Sequence, residues 1–181
     1  MALEIERRFL VCGDAWRPLV RSSQRLEQGY LAGSADGLTL RVRRDGAAAA
    51  WLTLKFPAAG IARHEFEYAI PPADAAALLE QSASRLSKCR HHLNLPGGDW
   101  VLDVFEGENA PLLIAEVELD HADQPLDLPS WCCSELTGLG RFSNAALARE
   151  PFRHWSPADQ APWLEQLQFP ADPETSSERS C

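Results

Sequence analysis

Like charges recur two residues apart along most of the extended segments of this chain. Glu4/Glu6, Arg41/Arg43, Glu65/Glu67, Lys88/Arg90 and Glu116/Glu118 each stand at i and i+2. Successive side chains of a β-strand point to opposite faces, so each pair shares one face of its strand. Like charges at that spacing repel unless something of opposite sign lies between them. Two arrangements accept such strands. One is a sheet with a solvated face, common among antiparallel sheets. The other is a wall turned toward a polyvalent ligand. These faces are nearly pure in Glu and Arg rather than mixed with Thr, Ser and Gln, which favours the ligand-facing wall. Paired carboxylates suit a divalent cation. Paired guanidinium and ammonium groups suit phosphate or a comparable polyanion.

Period-two alternation predicts eight strands, over 3–11, 25–32, 38–44, 50–56, 63–70, 86–95, 99–106 and 112–120. The turn-rich pieces "GSADG", "RRDGA", "PAAG" and "PGGD" between them read as hairpin connections. "PPADAAALLEQSASR" (71–85) reads as a helix, "SNAALARE" as a second with Ser143 as its N-cap, and 156–169 as a third with Ser156 as N-cap and Pro157 in its first turn. The expected fold is α+β: an eight-stranded antiparallel β-barrel forming a tunnel with a charged interior, its helices packed outside. A single domain over 1–169 is expected, with its core at 3–150 and a disordered polar tail at 170–181.

Strand parity then identifies the inward set. Arg8, Arg41, Arg43, Lys55, Arg63, Lys88 and Arg90 oppose Glu4, Glu6, Glu65, Glu67, Asp103, Glu116 and Glu118, seven of each sign. Such a lumen is near neutral alone. Two divalent ions would bring it to about four positive charges, a match for a triphosphate.

The whole chain is acidic, with a formal net charge of −9, which argues against nucleic acid as partner. It does not argue against a small anion in a local pocket. The cysteine count is five with no CxxC spacing, so neither disulfides nor a zinc knuckle are expected, and a reducing, cytoplasmic compartment fits best. No apolar run approaches membrane-spanning length, and no apolar leader precedes the first strand. A monomer and a homodimer both stay open.

Read in order, "EIERRFLV", "LEQGYL", "LRVRR", "LTLK", "RHEFE", "SKCR", "LDVFEG", "EVEL" and "RFSNAALA" form nine blocks over residues 3 to 150. They resemble the CYTH superfamily, the triphosphate tunnel metalloenzymes, and among them the short bacterial inorganic tripolyphosphatases. The first block is similar to that family's ExExK signature. The resemblance implies a hydrolase dependent on Mg²⁺ or Mn²⁺, with one or two ions, acting on inorganic tripolyphosphate or a related small-molecule triphosphate. It implies metal ligation by Glu4, Glu6, Glu116 and Glu118, with Asp103 assisting, and a catalytic role for Tyr30, Lys88, Glu65 and Glu67. Phosphate binding falls to Arg8, Arg41, Arg43, Lys55, Arg63, Lys88, Arg90 and Arg141. Two positions depart from the family: Arg8 stands where the signature has Lys, and Leu139 where an Asp is frequent. The same resemblance covers a class IV-type adenylyl cyclase and a thiamine triphosphatase. A polyphosphate- or nucleotide-binding module without catalysis is the non-enzymatic alternative.

Overall fold

The structure, a computed structural model, describes residues 2–33 and 37–167. The expected tail at 170–181, and the last two positions of the expected third helix, lie outside the described residues. Eight strands alternate with short connections: β1 (Ala2–Val11), β2 (Val20–Gly33), β3 (Thr39–Asp45), β4 (Ala49–Pro57), β5 (Ala62–Ala69), β6 (Ser84–Leu93), β7 (Asp99–Phe105) and β8 (Leu113–Glu118). They lie in the order β5-β4-β3-β2-β6-β7-β8-β1, and β5 returns to pair with β1, so the sheet closes into an antiparallel barrel. Closure removes the exposed edges that an open sheet of this size would present. β1 does two jobs along its length. Its first half meets β5, with Leu3 opposite His64 and Glu4 opposite Arg63. Its second half meets β8, with Glu6 opposite Glu118 and Arg8 opposite Glu116.

A ninth strand, β9 (Cys132–Glu135), joins the far edge of β1 at Phe9–Val11. It brings Cys133 to Cys12, and the two form a disulfide with Cα atoms 6.1 Å apart. This corrects the expectation of no disulfide. The two cysteines are 121 residues apart, and only the β1–β9 pairing makes them neighbours.

Helix α1 (Pro72–Gln81) lies on the outside, with Ala75 and Leu79 packed on Val42 and Ala50 of β3 and β4. It stops before the expected Arg85, because Ser84 and Arg85 already pair with Tyr30 and Gly29 of β2. A side chain on Gly29 would place its Cβ 2.4 Å from Ser82 Oγ, so glycine is what lets the α1–β6 junction settle on β2. The outer faces of β1, β7 and β8 carry Phe9, Trp100, Leu102, Ala115 and Val117, roofed by Trp16 and Trp131.

Helix α2 (Asn144–Arg149) is placed differently from α1. It starts after Ser143, whose Oγ accepts the Ala146 amide at 3.2 Å. Its Leu147 and Ala148 pack with Leu10, Leu86, Phe105 and Ile114. Those four residues occupy inward positions of β1, β6, β7 and β8, so α2 seats across one end of the barrel. Helix α3 (Pro157–Leu167) lays Trp163 and Leu164 over the same cluster. Among the described residues no helix is long and apolar enough to cross a membrane.

Candidate active site

The inward rows change character along the barrel axis. On β1 they run Glu4, Glu6, Arg8, Leu10, and on β8 they run Glu118, Glu116, Ile114. Charge therefore dominates the open end, and apolar side chains close the other under α2. The charged rows meet in two clusters.

In the first cluster Lys55 Nζ lies 2.5 Å from Glu4 Oε2 and 2.7 Å from Glu65 Oε2. The Arg41 guanidinium stands 3.7 Å from Glu65 and 3.6 Å from Glu67, and donates to Thr53 Oγ1 at 3.1 Å. Arg43 donates to Glu67 Oε2 at 2.9 Å and lies over the Trp51 ring. The Thr53 hydroxyl donates to the same Glu67 oxygen at 2.8 Å. The Nε atoms of Arg41 and Arg43 are buried with no hydrogen-bond partner among the described residues.

The second cluster centres on Asp103, which has no exposed surface. Arg90 donates to both of its oxygens, at 2.8 Å and 2.7 Å, and fully buried Lys88 donates to Oδ2. Arg90 also reaches Glu116 at 2.5 Å. Lys88 makes a further bond to Asn144 Oδ1 of α2 at 3.2 Å. Arg8 bridges toward the first cluster, 3.8 Å from Glu6, while its Nη1 donates to the Phe142 carbonyl at 3.1 Å and its backbone amide to Thr137 Oγ1.

Burial and charge set the protonation of these groups. Burial, with repulsion from Glu6 and Glu65, raises Glu4 to about 7 even though Lys55 adjoins it. Glu6 is raised by burial and by the nearby Glu116. Burial would lower Lys55, but Glu4, Glu6 and Glu65 outweigh it and leave it raised. Lys88 falls to about 8, through burial and the Arg90 charge, with Asp103 opposing. Asp103 and Glu116 lie below the usual carboxylate range, since the neighbouring cations outweigh the cost of burial. Burial raises the Tyr30 phenol.

These residues suit a hard divalent cation in their donor chemistry. Glu4, Glu6 and Glu116 offer only oxygen, and burial together with neighbouring carboxylates raises Glu4 and Glu6, a cost that a bound cation would relieve. Among the described residues no three potential ligands already stand in a coordination set. The acidic side chains are turned onto Lys55 and Arg90 instead.

A model of the CYTH domain matches residues 2–149, most of the chain. The chain belongs to the CYTH family. An inorganic triphosphatase of Acetivibrio thermocellus is 35% identical over 158 residues, covering 86% of this chain and 99% of the relative. One from Nitrosomonas europaea is 36% identical over 149 residues, covering 80% and 96%. A crystal structure of an inorganic triphosphatase superposes with a TM-score of 0.60 at 35% identity, over 82% of this chain and 95% of its own.

Within this CYTH barrel the remaining expected residues occupy varied places. Glu118 and Arg63 stand on inward rows but are exposed at the open end. Arg141 is not brought to the two clusters. It lies beside α2, with its guanidinium 3.8 Å from the Trp155 ring and 3.2 Å from Asp159. Tyr30 faces inward near the apolar end, its Oη accepting from Gln28 Nε2 at 3.3 Å. Gln28, Thr53 and Asn144 escaped the sequence reading. Parity contained the signal for the first two, since Gln28 shares its face with Tyr30 and Thr53 with Lys55. Asn144 had no such signal, because α2 reaches the lumen only through the tertiary fold.

Proposed function

We propose that this chain is an inorganic triphosphatase, which cleaves a phosphoanhydride bond of inorganic triphosphate inside the barrel with Mg²⁺ or Mn²⁺ as its ion. The observation that carries the reading is the closed wall of alternating buried cations and carboxylates, in which the Nε–H groups of Arg41 and Arg43 lack an acceptor among the described residues. Hydrogen-bond donors buried without partners are costly, and phosphate oxygens are the acceptors that satisfy guanidinium geometry best. The names of the two bacterial relatives support the same substrate.

Arg41, Arg43, Lys55, Arg8, Arg90 and Lys88 would bind the phosphate chain, with Arg63 guiding it at the mouth. Phosphoryl transfer asks for positioning and charge neutralisation more than for covalent chemistry, and a rigid barrel wall supplies both. Glu65 and Glu67 keep Lys55, Arg41 and Arg43 oriented between turnovers. Asp103 does so for Lys88 and Arg90, since its two oxygens are already taken up by them. Glu4, Glu6 and Glu116, with Glu118 at the mouth, are the ligands for a divalent ion, which would neutralise phosphate charge and lower the pKa of a bound water. Lys88, brought down to about 8, and the Tyr30 hydroxyl are the proton-bearing groups near the apolar end where a leaving phosphate oxygen needs protonation.

The test is a substrate panel. Tripolyphosphate, pyrophosphate, thiamine triphosphate and ATP are offered with each ion, and orthophosphate, pyrophosphate and cyclic AMP are measured. Orthophosphate release strongest from tripolyphosphate is expected. Cyclic AMP from ATP would replace the reading with a cyclase, and tight binding without turnover would replace it with a binding module.

A further inference from the structure

Most polar side chains on the inner wall are acidic or basic, and Gln28, like Thr53 and Tyr30, is an exception. It is fully buried on the inward face of β2, across from Arg43 of β3. Its Nε2 donates to Tyr30 Oη at 3.3 Å, while its Oε1 has no partner among the described residues. A buried amide oxygen without a donor costs more than the one bond on Nε2 returns, and a leucine or methionine of similar volume would carry no such cost. The side chain therefore does not repay its place through stability.

What the amide does provide is direction. A phenol oxygen has two lone pairs and one hydrogen. With a lone pair of Tyr30 engaged by the Gln28 N–H, the hydroxyl hydrogen is turned away from Gln28. Arg41, opposite Tyr30 on β3, can only donate, which leaves acceptors in the lumen as the partners for the hydrogen. We infer that Gln28 is a positioning residue, which aims the Tyr30 hydroxyl into the tunnel as a hydrogen-bond donor to a phosphate oxygen of the substrate. The inference rests on the proposed role of Tyr30 and extends it to a neighbour that touches no substrate atom itself.

The experiment is a double-mutant cycle on the full chain with tripolyphosphate: Gln28→Met, Tyr30→Phe and the pair, with Gln28→Leu as a second apolar variant. Gln28→Met is expected to lower kcat about five- to tenfold, the scale of one oriented hydrogen bond, with KM changed less than about twofold. Its melting temperature is expected to stay level or rise. In the Tyr30→Phe background the same change is expected to leave kcat within about twofold, because the group it acts through is gone. An equal loss of kcat in both backgrounds, or a lowered melting temperature with kcat unchanged, overturns the positioning role while leaving Tyr30 intact. A Tyr30→Phe enzyme as fast as the wild type overturns the role of Tyr30, and this inference with it.

Discussion

Replacing Asp103 by Asn isolates what one buried carboxylate contributes. The substitution keeps shape and volume but removes the negative charge that Lys88 and Arg90 share. Lys88 is fully buried and the Arg90 side chain is 15% exposed, so neither cation recovers hydration in exchange. Breaking a buried ion pair from one side costs about 3–5 kcal/mol, a large part of the roughly 5–15 kcal/mol that holds a domain folded. With a urea dependence of about 2 kcal/mol per molar, the denaturation midpoint should fall by roughly 1.5–2.5 M. The loss should also depend on pH with a definite sign. Lys88 already sits below its ordinary value, at about 8, and without Asp103 it sits lower still. A lysine with a lowered native value binds fewer protons folded than unfolded, so stability rises with pH across that interval. The deficit of Asp103→Asn should therefore be greater at pH 6 than at pH 9, with Arg90 remaining charged throughout. Tripolyphosphate, which can replace the missing negative charge, should raise the variant's midpoint more than the wild type's. Urea titrations at both pH values, with and without the ligand, measure all of this. A cost below about 1 kcal/mol, or a deficit that grows with pH, would refute the assignment of Asp103 as the counter-charge of two buried cations.

Two other outcomes follow from the same geometry. Glu4, at about 7 against 4.5 unfolded, retains a proton in the fold through the pH interval between them. That favours the metal-free fold at low pH and is lost as pH rises through 7. Mg²⁺ or Mn²⁺ binding at pH 6 should consequently release about one proton from Glu4, with any held by the raised Glu6 adding to it, and the Glu4 share should fade as pH rises through 7, as read by calorimetry in buffers of different ionisation enthalpy. Gly29→Ala should cost about 1–3 kcal/mol by overpacking at Ser82, visible as a lowered melting temperature with KM for tripolyphosphate little changed.

Strand parity made most of the lumen legible, because a two-residue period assigns each side chain to a face before any contact is known. Glu4, Glu6 and Arg8 fall on one inner row for that reason, and Arg7 falls outside, paired with Glu135. The apolar end was legible in the same rows, where Leu10, Leu86, Phe105 and Ile114 continue the charged series, but helix α2 had to be placed before they read as a plug. β9 is four residues long in a turn-rich stretch and has no alternation to detect. The start of β2 at Val20 escaped because "VRSSQ" lacks alternation, and its pairing with β6 decides it. Arg141 reads as a phosphate ligand by its block, yet in space it stacks on Trp155. Long-range neighbours of this kind leave no local pattern.

Arg7 and Arg8 test whether the charged lumen is where triphosphate is turned over. They are adjacent, identical in chemistry and on opposite faces of β1. Arg8→Met and Arg7→Met, assayed side by side for metal-dependent orthophosphate release from tripolyphosphate, should part company. Arg8→Met should lose at least about tenfold in kcat/KM, the worth of one charged phosphate contact, and Arg7→Met should stay within about twofold of the wild type. Equal losses in the two, or none in Arg8→Met, would rule out the lumen as the place of turnover.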